Sequence, residues 1–187
     1  MDDAQAREAV VSAADRLFYG RGIQSVGMDE IREAAGISLK RMYALFPSKE
    51  TILAEVLRRR NEVWTSGILL AAENEPTADD KILSIFDFLS DWFAEDDFRG
   101  CAFINSFGEL GASAPLVADA ARAHKVGFQQ YVAGLAAEAG APPSLAPQIA
   151  LLAEGAQTTA AISGTPDAAS DAKAAAATLL AAAERTA

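Results

Sequence analysis

One cysteine and one histidine stand among the 187 residues of this chain. Cys101 by itself cannot close an internal disulfide, and with only His124 beside it the sequence supplies no metal-ligand cluster. Cys101 is expected to be a small buried apolar residue rather than a nucleophile or redox sensor. His124, in a helical stretch next to Lys125, is expected to be solvated or hydrogen-bonded rather than catalytic. There is no nucleophile–His–acid set and no Gly-rich phosphate loop, which speaks against an all-helical enzyme. No stretch reaches the roughly 18 apolar residues of a membrane span. The first ten residues are charged or small, without the basic start and apolar run of a signal peptide. A cytoplasmic protein with no membrane partner, cofactor or metal is therefore expected.

Positive charge is scarce as well. Sixteen Lys/Arg stand against 26 Asp/Glu, a net charge of −10, which taken as a whole argues against a nucleic-acid binder. The distribution reverses that inference. Residues 1–60 hold ten Lys/Arg and nine Asp/Glu, whereas residues 61–187 hold six and seventeen. An acidic body repels DNA everywhere except at its one near-neutral end, and so orients how the chain docks.

Strand patterning is missing too, because Val, Ile and Thr never fall into period-2 alternation. The chain reads as all-α, with about nine helices. Ala6, Val10, Ala13, Ala14, Leu17 and Phe18 share one face of a first helix, and Gly20 and Gly22 end it. A short helix follows over Met28–Ala35, then a turn at Gly36, then a second short helix from Leu39 to Phe46 stopped by Pro47. Ser48 can cap a long helix burying Ile52, Leu53, Val56 and Leu57 and running to about Ala72. Thr77 and Asp80 begin another in capping-box fashion, with Ile82, Ile85, Phe86, Leu89, Trp92 and Phe93 as its stripe. Helices over 98–111, 114–140 and 145–163 come next. The last starts at Thr165-Pro166-Asp167 and runs almost to Ala187.

Two short helices joined by a Gly turn, packed on a preceding amphipathic helix, make a helix-turn-helix. In the second short helix Met42 and Phe46 face inward with Ile37. Leu39, Lys40, Arg41, Tyr43 and Ala44 are left outside and at the helix start, which is the arrangement a helix needs to enter a major groove N-terminus first. Lys49 adds a second sign. A cation in the first turn of a helix opposes the helix dipole at a cost of up to about 1 kcal/mol. A phosphate bound there removes that cost.

The stretch AADRLFYGRGIQSVGMDEIREAAGISLKRMYALFPSKETIL, within residues 6–53, resembles the DNA-binding domain of TetR-family transcriptional regulators. The likeness is carried by LF..G, then DEI..AAGIS, then a Tyr ahead of L-F-P-S-K-E. The resemblance implies that Leu39, Lys40 and Arg41 approach bases or backbone, that Tyr43 reaches a phosphate and that Lys49 anchors one. Two positions depart from the family pattern. Gly27 stands where a Ser or Thr hydroxyl is common, and Ala44-Leu45 follow the Tyr where a polar or aromatic pair is common. More of the contact then falls on Lys40 and Arg41.

The organisation expected is a helix-turn-helix domain over 1–48 and an effector-binding and dimerisation bundle over 49–187. The bundle's aromatics, with Gln157 as a polar group on an Ala- and Leu-rich helix, fit an apolar pocket with few polar groups. By the resemblance, helices here surround a small, largely apolar effector, with Phe86, Leu89, Phe93, Phe107, Phe128 and Gln157 as the candidate lining. The last two helices carry small residues on nearly every side, which calls for burial on more than one face, and the resemblance implies a four-helix dimer interface. The function expected is a homodimeric, ligand-responsive transcriptional regulator on a palindromic double-stranded DNA operator, a repressor released by a small apolar molecule. The alternative is a DNA-binding dimer without an effector.

Overall fold

The computed structural model describes residues 1–184, and its described residues form nine α-helices and no strand. They are α1 (Asp3–Arg21), α2 (Met28–Ala35), α3 (Leu39–Leu45), α4 (Lys49–Ala72), α5 (Ala78–Phe93), α6 (Ala102–Leu110), α7 (Pro115–Glu138), α8 (Leu145–Ser163) and α9 (Asp167–Ala182). The expected extension of the last helix over 185–187 lies outside the described residues. The helix expected to begin at Phe98 begins only at Ala102, and the expected first position of the last helix, Pro166, is instead its N-cap.

The chain divides into two compact units. One comprises Met1–Glu62 with Ala102–Ala123, the other Val63–Cys101 with the residues from His124 onward. This division falls elsewhere than the boundary expected after residue 48. The first part of α4 stays with α1 because Ile52, Leu53, Val56 and Leu57 are buried there. Arg59 reaches Glu8 at 2.5 Å, and Arg60 pairs with Asp15.

In the first unit α1 packs on α2 and α3, and α2 on α3. Asp2 caps α1 by accepting the Gln5 N–H at 2.8 Å, while the Gln5 side chain takes the Asp2 N–H. The turn between α2 and α3 depends on Gly36. Its φ of +66° is left-handed, a region that costs other residues roughly 1–2 kcal/mol. In that conformation its N–H reaches the Glu33 carbonyl at 3.1 Å, and the next N–H, of Ile37, reaches that of Arg32 at 3.3 Å.

In the second unit α5, α8 and α9 pack mutually. Ile82, Ile85, Phe86 and Leu89 are almost fully buried, each contributing about 1.5–3 kcal/mol of apolar burial. Thr77 caps α5 by accepting the Asp80 N–H at 3.1 Å, as its sequence predicts. Trp64 sits edge-on to Phe88, Trp92, His124 and Phe128, with ring centroids 5.4–5.7 Å away. Phe88 lies so close over Gly67 that a Cβ there would stand 2.4 Å from its ring.

Candidate nucleic-acid interface

α3 is cut by its neighbours into two sides. Met42 is fully buried, and Ile37, Leu45 and Phe46 are buried with it. Ser38 caps the helix by accepting the Arg41 N–H at 3.3 Å. What remains outside is Leu39, Lys40, Tyr43 and Ala44, all exposed, with Leu39 at 42% and Tyr43 at 48%. Two large residues of a seven-residue helix left half in water is the pattern of a surface that meets something else.

Arg41 is not idle in this surface. Its guanidinium donates to the Met1 carbonyl and to Asp3 Oδ1, both at 2.9 Å. Both partners are exposed, and such a pair contributes little to stability. Asp3 also places a negative charge beside the residue expected to meet DNA.

Lys49 lies, as expected, in the first turn of α4, but its ammonium is already occupied. It donates to the carbonyls of Ile23 at 2.9 Å and Val26 at 3.0 Å, in the segment joining α1 to α2. The dipole cost attributed above to a missing phosphate is therefore met within the chain by two carbonyl dipoles. An ammonium has three donors, so one N–H is left over after these two. Gly27, the N-cap of α2, has no side chain to offer, and Glu30 takes its N–H at 2.9 Å. That bond, with Arg21 at 2.9 Å, holds the Glu30 carboxyl below the usual range.

One residue that the sequence did not single out belongs to this scaffold. Glu109, on α6, accepts the Ile23 and Gln24 N–H groups with its two carboxylate oxygens at 3.0 Å each, and its carbonyl accepts Gln24 Nε2 at 3.1 Å. The α1–α2 segment is thus gripped at its amides by Glu109 and at its carbonyls by Lys49. An 85-residue separation left no sequence signal for this contact.

The expected pocket residues fall in both units. Phe86, Leu89, Phe93 and Phe128 are buried in the core of the second unit, and Gln157 is buried with them. Phe107 is in the first unit and 46% exposed, its ring lying close to Gly111 just after the end of α6. The core holds two buried polar atoms without a partner among the described residues, Trp64 Nε1 and Gln157 Oε1. The Gln157 amide NH₂ donates to the Ala153 carbonyl at 3.3 Å. Cys101 is buried as expected. His124 is not solvated. It is buried against Trp64, and burial, with Lys125 beside it, pushes its pKa down to about 4.

Three helices ending in a short one that presents Leu39, Lys40 and Tyr43 on its outer face fit the helix-turn-helix class. Residues 10–56 match the family model described as bacterial regulatory proteins, tetR family. The chain is 29% identical over 101 residues to the HTH-type transcriptional regulator YjdC of Escherichia coli, covering 52% of each. It is 32% identical over 104 residues to the transcriptional activator FasR of Mycolicibacterium smegmatis, covering 54% of this chain and 45% of that one. It therefore spans about half the length of the curated relatives it matches. A TetR-family transcriptional regulator from Streptomyces coelicolor superposes with a TM-score of 0.88 at 25% identity, covering 95% of both chains. As a fold alone, a TetR transcriptional regulator from Chloroflexus aurantiacus matches at 0.85 and 22% identity, covering 99% of this chain and 98% of that one. Residues 10–56 thus carry the domain described for the tetR family, and the chain shares its fold with TetR-family transcriptional regulators. These relatives are transcriptional regulators, not enzymes. No helix among the described residues is long and apolar enough to cross a membrane.

Proposed function

We propose that this chain is a homodimeric DNA-binding transcriptional repressor that a small, largely apolar molecule releases from a palindromic operator. The observation that carries the DNA-binding part is the outer face of α3, with Leu39, Lys40 and Tyr43 exposed and Arg41 beside them on a helix anchored by Met42 and Phe46. Lys40 and Arg41 read base edges, Tyr43 touches phosphate, and Lys49 offers its remaining N–H to a phosphate at the start of α4.

Dimerisation through α8 and α9 is supported by the apolar side chains they leave in water. Leu151 and Ile162 are among the most exposed large hydrophobic residues of the chain, and an apolar groove runs past Leu151, Gly155, Thr159 and Ala175. Two copies related by a two-fold axis present two recognition helices, as a palindrome requires. The effector reading is supported by Trp64 Nε1 and Gln157 Oε1, a donor and an acceptor that a ligand entering the aromatic core would satisfy. Close packing of Phe86, Leu89, Phe93 and Phe128 favours the alternative in which the second unit only dimerises.

Selection of bound fragments from the genome of origin, followed by titration of the parent and of Lys40→Ala and Arg41→Ala on the selected site, tests the central claim. Alanine at a base-reading position costs about 1–3 kcal/mol on the preferred site and blurs its selectivity. Unchanged affinity and selectivity in both variants refutes the assignment.

A further inference from the structure

The first unit contains a cleft of about 330 Å³ to which no role has been attached above. Its apolar wall is built from Phe18, Ile23, Leu53, Val56 and Leu57, all buried side chains of α1, α4 and the segment after α1. Its opposite wall is α6, through Ala102, Asn105, Ser106, Gly108 and Glu109. Small-molecule sites begin at about this volume, and half of it suffices for a benzene ring in an apolar cavity. The space accommodates a molecule of roughly 10–15 heavy atoms.

Ser106 distinguishes this cleft from a packing flaw. It is only 4% exposed, it lines the cleft, and its hydroxyl has no hydrogen-bond partner among the described residues. A helical Ser normally returns its hydroxyl to the carbonyl one turn back, and Ser170 and Thr178 do so elsewhere in this chain at 2.8 and 2.9 Å. The Ser106 hydroxyl opens into the cleft, where it is a ready contact for a polar group on an occupant.

The charges in the lining select the kind of occupant. Arg60 is held by Asp15 and lies over the Tyr19 ring, its Cζ 3.8 Å from the centroid. Glu109 adds a second carboxylate, spent on the Ile23 and Gln24 N–H groups. With two carboxylates against one guanidinium, the lining repels anions.

We infer that this cleft is a binding site for a small, uncharged, mostly apolar molecule carrying one hydroxyl or similar hydrogen-bonding group, which pairs with Ser106 while its apolar body lies against Phe18, Leu53 and Val56. All of its lining residues belong to the first unit. Its occupant touches Ile23 and Glu109, the two residues joined at the α1–α2 segment, so occupancy also alters DNA affinity. That last consequence rests on the DNA-binding reading proposed above.

The test uses three probes of one shape on the full chain: 4-butylphenol, butylbenzene and 4-butylbenzoate, titrated calorimetrically and by ligand-observed NMR. The parent binds 4-butylphenol once per chain, butylbenzene more weakly, and 4-butylbenzoate least. Ser106→Ala weakens 4-butylphenol roughly tenfold and leaves butylbenzene unchanged, the loss expected for one hydrogen bond. Ala102→Phe, which fills the cleft, abolishes both, with circular dichroism reporting that the variant is folded. Because Ser106→Ala removes a single atom, it keeps the test decisive if Ala102→Phe does not fold. No binding of 4-butylphenol at millimolar concentration overturns the site, as does binding that ignores Ser106→Ala. Benzoate binding as tightly as the phenol overturns the charge argument. Binding of 4-butylphenol by a chain that binds no DNA upholds the cleft and refutes instead the function it would regulate.

Discussion

Lys49 bonds the Ile23 and Val26 carbonyls and is proposed to meet a phosphate, and replacing it with methionine separates these two roles. In the folded chain its ammonium holds the Ile23 and Val26 carbonyls at 2.9 and 3.0 Å. Methionine keeps most of the stem and removes both bonds. Hydrogen bonds to a charged group contribute about 1.5–3 kcal/mol each, but Lys49 is only half-buried, so water recovers part of that, and a combined loss of about 2–4 kcal/mol is reasonable. Against it stands the relief of removing a cation from the first turn of α4, up to about 1 kcal/mol. The carbonyl bonds win, and Lys49→Met is expected to be about 1–3 kcal/mol less stable by urea denaturation. On DNA the effect has a different signature. One phosphate contact accounts for a slope of about 0.9 in log K against log salt, so a dimer losing two contacts drops by about 1.8. Gel-shift titrations from 50 to 200 mM KCl, at a temperature where parent and variant are both folded, measure it. An unchanged urea midpoint refutes the structural role, and an unchanged salt slope refutes the phosphate contact.

Three further outcomes are expected. Asp3→Asn removes the carboxylate that holds Arg41 and one negative charge from the α3 surface, so operator affinity should rise a few-fold at low salt with stability unchanged within about 0.5 kcal/mol; equal or weaker binding shows that Asp3 does not compete with DNA. Gly36→Ala forces a side chain into φ +66° and should cost about 1–2 kcal/mol in chemical denaturation, while a neutral result would mean the turn relaxes to another conformation. His124 binds its proton only near pH 4 in the folded chain but near 6.5 when unfolded. Its contribution to stability is therefore fully present above pH 6.5 and is lost as pH falls to 4, by about 1.4 kcal/mol per unit and about 3 kcal/mol in all. Urea midpoints of the parent and His124→Gln at pH 7.5 and 4.5 check this, and parallel losses in the two proteins would refute it.

The sequence by itself determined what depends on neighbours within one or two turns of helix. Apolar spacing placed Met42, Ile52, Ile85 and Leu89 inside, and they are inside. Thr77 with Asp80 marked the start of α5, and Gly36 marked the turn, because caps and left-handed residues act through bonds three or four positions away. The helix-turn-helix is itself local, so its outer residues were legible before any fold was known. Tertiary structure decided the rest. That Lys49 spends its ammonium on Ile23 and Val26, that Arg41 is held by Asp3, and that Glu109 grips a turn 85 residues earlier are outcomes of how helices meet. Helical periodicity says which face of a helix is apolar and nothing about which helix will cover it. The same limit explains Phe107. Its spacing marks it as an apolar helix residue like Phe86 and Phe128, but α6 joins the unit of α1 and leaves that ring half in water, whereas Phe86 and Phe128 are buried in the core of the second unit.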